Sequence, residues 1–197
     1  MVEGASRLFR RPVRPDTVES HGAPTSMKPT FALRRLAAAD ADGYRALRLE
    51  GLRDHPEAFG ASWDDEARKP VPWFAERLER NAVWGGWLDG DPTLAGVAGL
   101  MVPEAAKLRH KGVLWGMFVR PEARGKGLAE ALARRAVEEA AGAVEEVRLA
   151  VVASNTAAVR LYARLGFRPY GLEPRALRID GQYHDELLMA LRLREPR

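Results

Sequence analysis

The 197-residue sequence contains no cysteine. Disulfides, thiolate metal sites and thiol nucleophiles are thereby excluded, and any sulfur chemistry has to arrive on a ligand. Histidine is scarce as well. His21, His55, His110 and His184 are scattered without metal-ligand spacing, so no metal centre is expected. No apolar run approaches the roughly 18–20 residues of a membrane-spanning helix. The first residues carry Arg and Pro in place of the apolar stretch of a secretory signal, and the protein reads as cytoplasmic. A dominant charge of either sign is also missing: 31 basic and 27 acidic side chains leave a net charge of +4. No Lys/Arg run interleaved with aromatics appears, which argues against a nucleic-acid partner. The small basic excess suits a solvated surface with some residues serving an anionic ligand.

What is present fits one α/β domain, with 46% apolar residues to fill its core. Residues 1–28, rich in Arg, Pro, Ser and Gly and without periodicity, read as a disordered extension before a domain spanning residues 29–197. From Phe31 the pattern predicts a strand to Leu36, a helix over 39–53, a loop at residues 55–62 and a helix over 70–80. Strands at 83–88 and 93–102 flank the hairpin signal Asp89-Gly90-Asp91-Pro92. A strand at 113–119, a helix at 128–140, a buried strand at 147–153 and a helix at 156–165 follow. Two last strands, 176–180 and 184–193, enclose Gly181-Gln182. Hairpins followed by strand–helix–strand units imply an α/β fold with a mixed, mostly antiparallel central sheet and helices on both faces.

The richest segment starts at Val113, where an apolar strand runs into Pro121 and then Arg124-Gly-Lys-Gly127-Leu-Ala129 at a helix start. Gly125 and Gly127 let backbone approach a ligand closely, because no Cβ intervenes. Unpaired N–H groups and the positive dipole end of the following helix favour a phosphate or pyrophosphate there, with Arg124 and Lys126 adding charge. The spacing fails as a P-loop, which needs Gly at 120 and Ser or Thr at 127. It fails as a dinucleotide fingerprint too, because Glu130 stands where Gly or Ala is required. A second motif follows: Asn155-Thr-Ala-Ala158-Val-Arg-Leu161-Tyr162-Ala-Arg-Leu-Gly166-Phe167. Asn155 and Tyr162, two helical turns apart, lie near one helix face.

In these two motifs, correctly ordered, the chain resembles the GNAT superfamily of N-acetyltransferases. That family's signatures are Gln/Arg-x-x-Gly-x-Gly/Ala after a strand and Asn-x-x-Ala-x-x-Leu-Tyr-x-x-x-Gly-Phe further on. The resemblance implies acetyl-CoA as co-substrate, with its pyrophosphate on the backbone of Arg124, Gly125, Lys126, Gly127, Leu128 and Ala129. It implies a coenzyme A contact at Asn155 and a general acid at Tyr162. It places an oxyanion on backbone N–H groups within Met117, Phe118 and Val119, beside a bulge for which Gly116 is a suitable weak point. It further implies a direct attack by an amine, either a small molecule or a protein N-terminus or lysine, in a homodimer without metal. A binding or regulatory module that keeps acyl-CoA without efficient catalysis is the rival reading.

The chain departs from the pattern on the strand before the turn, where many GNAT enzymes carry a Glu. Gly112-Val-Leu-Trp115-Gly-Met has no carboxylate, so the base is sought in a water chain or among Glu50, Glu57, Asp180 and Glu186. Trp115 suits an acceptor pocket or the core. Of Phe59, Trp63, Trp73, Trp84, Trp87 and Tyr183, at most two are assigned to substrate, because aromatics mostly pack.

Overall fold

The computed structural model describes residues 30–194. The expected disordered extension, residues 1–28, lies outside them. The chain runs β1 (Phe31–Arg35), α1 (Ala41–Asp54), α2 (Trp63–Ala67), α3 (Val71–Arg80), β2 (Ala82–Leu88), β3 (Leu94–Met101) and β4 (Lys111–Val119). It continues through α4 (Leu128–Ala140), β5 (Glu146–Val152), α5 (Thr156–Arg164), β6 (Arg168–Ile179) and β7 (Gln182–Arg192). The seven strands form one sheet in the order β1-β2-β3-β4-β5-β7-β6. All neighbours pair antiparallel except β4 with β5.

Local chemistry explains the hairpins. At the β6–β7 turn Asp180 (φ 48°) and Gly181 (φ 82°) are both left-handed, as a two-residue turn matched to strand twist demands. Between β2 and β3, Asp91 Oδ1 accepts the Thr93 N–H while Gly90 takes φ 80°. The two longer crossovers, β4–α4–β5 and β5–α5–β6, run the same way across the sheet. The usual right-handed connection therefore puts both helices on one face. Leu128, Leu132, Ala136 and Tyr162 pack there with Leu100, Val147, Phe167 and Met189. The opposite face is covered by α1 and α3, whose Tyr44, Leu47, Phe74 and Leu78 meet Val83, Val97 and Phe118. Covered on both sides, β3 is buried without a break from Leu94 to Leu100. Among the described residues no helix is long and apolar enough to cross a membrane.

Two elements differ from the sequence expectation. The short helix α2 (Trp63–Ala67) stands between the expected loop at 55–62 and the expected helix from Pro70, in a stretch to which the sequence assigns no element. Ser62 Oγ accepts the Asp65 N–H at 3.2 Å, and three acidic residues fill the first turn. Strand β6 begins at Arg168 instead of 176. Pro169, Gly171 and Pro174 read as breakers, but β6 is the sheet's edge and pairs only with β7. A missing proline N–H is tolerated on an edge strand. Register shifts at Pro169/Gly171 and Glu173/Leu177 absorb the irregularity.

Candidate active site

Strands β4 and β5 pair over only three residues, Lys111–Val113 against Glu146–Arg148. Beyond them β4 stays with β3 and β5 stays with β7, so the sheet opens into a slot. Trp115 pairs with Gly99 and Phe118 with Val97, which leaves Gly116 and Met117 opposite Ala98 alone. This is a bulge, and Gly116 sits in it at φ 63°. The Arg120 N–H donates to Ala95 O on β3 at 2.9 Å. Successive strand residues turn their amides to alternate sides. The Phe118 amide therefore faces β3, and those of Met117 and Val119 face the slot. Of the three N–H groups expected at the oxyanion, this alternation turns those of Met117 and Val119 to the slot and that of Phe118 to β3. The Phe118 ring lies in the core, 6.4 Å from that of Phe59.

At the slot's mouth the chain passes through a 3₁₀ turn, Pro121–Ala123, into the glycine turn. Gly125 (φ 74°) and Gly127 (φ 82°) are left-handed, and a Cβ on either would meet nothing within 4 Å. Glycine is needed here for backbone conformation, and the space beside it is open. No side chain caps α4. The first-turn amides of Leu128 and Ala129 therefore keep their N–H groups for an anion. These features fit the pyrophosphate of coenzyme A. The Arg124 side chain is engaged within the protein. Its Nε donates to Val119 O at 3.0 Å and its Nη2 meets His55 Nε2 at 2.9 Å, so it braces the turn against the end of α1. Lys126 is exposed beside it.

Asn155 caps α5, its Oδ1 accepting the Ala158 N–H at 3.1 Å, which leaves its Nδ2 group to donate. Tyr162 is 7% exposed and packs edge-on to Phe167. Its hydroxyl makes no hydrogen bond among the described residues, and burial pushes its pKa up to about 12. A phenol so shifted is protonated at all ordinary pH and is a weaker acid than an alkyl thiol of about 8.5. It suits donation of a hydrogen bond to a leaving thiolate better than outright proton transfer.

The Acetyltransferase (GNAT) family model matches residues 47–167. The chain belongs to the GNAT acetyltransferase family. A mycothiol acetyltransferase of Beutenbergia cavernae is 33% identical over 133 residues, covering 66% of this chain. The chain spans only 42% of that relative's length. The crystal structure of a GNAT-family acetyltransferase from Streptococcus pneumoniae superposes with a TM-score of 0.72 at 23% identity, over 82% of this chain and 99% of that one. A GNAT phosphinothricin acetyltransferase of Sinorhizobium meliloti, in complex with acetyl-CoA, gives 0.70 at 20% identity, over 83% and 88%.

For a GNAT domain lacking a carboxylate on β4, the structure sorts the four base candidates. Glu50 is held by Arg120 through three contacts of 2.8–3.1 Å. Glu57 pairs with His55 at 3.4 Å, and Asp180 sits in the left-handed hairpin turn. Glu186 stands apart. Leu187, Met189 and Leu191 of β7 pack towards α4 and α5, so Glu186 faces the other side of the sheet, over which α1 lies. It pairs across with Val152 at the slot end of β5 and with Glu173 on β6. Burial and then the Glu173 charge raise its pKa.

The same face holds a network that the sequence reading missed. Arg48 (4% exposed) makes a two-pronged pair with Glu66 (3%), both contacts 2.9 Å, and Arg77 Nη1 adds a third at 3.0 Å. Burial would raise the Glu66 pKa, but Arg48 and Arg77 hold it below the usual carboxylate range. A signal was available: Arg48 lies on the stripe of Tyr44, Leu47, Gly51 and Leu52, all buried. Of the aromatic candidates, Phe59 joins this network, with Arg48 stacked 4.7 Å from its ring centre. Trp115 faces the same side, 4.4 Å from the Arg77 guanidinium, and also fills the space over Gly99. Trp73 packs on Phe74, Trp84 lies under Arg135 and Trp87 under Arg34. Trp63 and Tyr183 are exposed.

Proposed function

We propose that this domain transfers an acetyl group from acetyl-CoA to a primary amine by direct attack, without metal or covalent enzyme intermediate. The observation that carries this reading is the slot. It opens beside the glycine turn, is edged by the Met117 and Val119 amides, and has Tyr162 on one sheet face and Glu186 on the other. The backbone of Arg124 to Ala129 and the free Nδ2 group of Asn155 would hold the coenzyme, whose thioester supplies the activated acetyl group.

Each residue's task follows from its environment. Glu186, with its raised pKa, accepts the proton that an ammonium acceptor has to lose before attack. The carbonyl carbon then gains a bond to nitrogen and loses its bond to sulfur. Met117 and Val119 N–H groups stabilise the negative oxygen during that exchange. Tyr162 donates a hydrogen bond to the departing sulfur, which ends as the thiol by taking up, through solvent, the second proton that the amine nitrogen loses. A homodimer belongs to this reading too, supported by the family resemblance alone. The rival, a non-catalytic acyl-CoA sensor, has no use for a buried unpartnered phenol and a carboxylate of raised pKa.

Calorimetric titration with acetyl-CoA, on wild type and Gly127→Trp, tests the cofactor half. Binding abolished by the tryptophan is expected, and a folded wild type that does not bind overturns the reading. For the chemistry, free thiol release with a panel of amines is followed against pH. The acid limb of kcat/KM rises as Glu186 deprotonates, and Glu186→Gln removes that limb. A Gln variant with an unchanged profile would remove Glu186 from the mechanism.

A further inference from the structure

Three arginines converge on the inner side of α1 and α3 with one carboxylate among them. Glu66 receives Arg48 and Arg77, while Arg45 donates to Ala67 O at 3.0 Å. Tyr44 feels the charges of Arg77, Arg48 and Glu66, and burial raises its pKa, so it stays neutral. Arg48 and Glu66 are almost completely covered and pair with each other, while Arg77 stays 21% exposed. A buried guanidinium N–H group left without a partner is costly unless an acceptor completes it.

The missing partner has a defined place. Arg48 Nη1 is buried and has no hydrogen-bond partner, while Nε and Nη2 are both taken by Glu66. A Cβ on Gly116 would find this nitrogen, at 3.7 Å, as its sole neighbour within 4 Å. The unpaired N–H group thus borders the bulge that sets the oxyanion amides, with no side chain between. Across the slot on the same face stand Glu186 and its cross-strand partner Glu173. One wall of the acceptor side is positive and the other negative.

We propose that the acceptor is an amino-acid-like zwitterion, its carboxylate received by Arg48 Nη1 beside Gly116 and its amine turned towards Glu186. This rests on the acetyl-transfer reading above and adds the substrate class. Phe59, from the loop after α1, stacks on the Arg48 guanidinium and helps to hold it beside the bulge. A neutral amide in place of the carboxylate pairs more weakly with the buried Nη1 group, which is how a desolvated polar group discriminates.

The test uses the full chain and two matched sets, L-amino acids and the corresponding L-amino acid amides, with acetyl-CoA and thiol release as readout. Wild type is expected to prefer the best acid over its amide on the order of 10²-fold in kcat/KM. Arg48→Lys keeps a charge for Glu66 but not the third guanidinium N–H, and is expected to bring that ratio near one while acetyl-CoA binding persists. Should no amine turn over, N-acetyl-L-amino acids and their amides are titrated into the coenzyme A complex. Tighter binding of the acids, lost in Arg48→Lys, sustains the proposal even then. Equal use or binding of acid and amide, or no binding of either, overturns it. Loss of acetyl-CoA binding by wild type would instead overturn the underlying reading.

Discussion

Arg120 grips both carboxylate oxygens of Glu50, fastening the end of β4 to helix α1 just before the glycine turn. The pair is mostly shielded, and a shielded charged hydrogen-bond set contributes more than an exposed ion pair. Arg120→Met is therefore expected to cost about 1–3 kcal/mol in urea unfolding. It should also weaken acetyl-CoA binding several-fold, because the turn loses one of two tethers, the other being Arg124 on His55. Unchanged affinity together with lower stability would show that the tether serves the fold alone.

At Gly127 the constraint is the left-handed backbone, since nothing crowds the missing Cβ. Gly127→Ala should then destabilise by about 1–2 kcal/mol. Gly127→Asn should cost distinctly less, because asparagine enters the left-handed region more readily. Equal losses in thermal unfolding would point to space instead of conformation.

Removing the carboxylate of Glu66 strands two guanidinium groups, one of them buried. Glu66→Gln is expected to lose about 3–5 kcal/mol, the range seen when one partner of a buried ion pair is deleted. The sign of the pH effect follows from the lowered folded pKa. Stability supplied by this group is complete above its unfolded pKa and disappears as pH falls through the folded one. Wild type should therefore lose more stability than the Gln variant on acidification below pH 4.5.

Tyr162 acts at the opposite end of the scale. Its folded pKa, about 12, exceeds the ordinary value of 10. The folded protein thus keeps a proton that the unfolded chain gives up, and stability falls as pH rises between the two. Between pH 10 and 11 the wild type should lose about 1 kcal/mol more than Tyr162→Phe. The same variant should lower kcat while leaving acetyl-CoA affinity nearly intact, measured by thiol release and calorimetry.

The sequence foretold most of the sheet and both motif-bearing turns because those signals are local. Gly125, Gly127 and Gly166 stand where a left-handed backbone is needed, and the Asn155 cap opens its helix. The bulge at Gly116 was legible as a glycine inside an apolar strand. What escaped depends on partners distant in sequence. Pro169 and Pro174 look disruptive until β6 is known to be an edge. Arg48 looks like a surface residue until Glu66, on a one-turn helix, is seen beneath it. The inward turn of Glu186 follows only from the pairing of β7 between β5 and β6. Neither a charge nor its counter-charge announces burial when each lies on a different element.

The parting of β4 from β5 after three rungs has a practical side. It leaves a stretch of open strand edge inside the domain, with the Met117 and Val119 amides unmatched. Unsatisfied edges recruit other strands when the opportunity arises. An extended ligand arm lying along that edge closes it, so the vulnerable species is the ligand-free protein. Preparations kept with coenzyme A should resist clumping during concentration and storage better than those stripped of it.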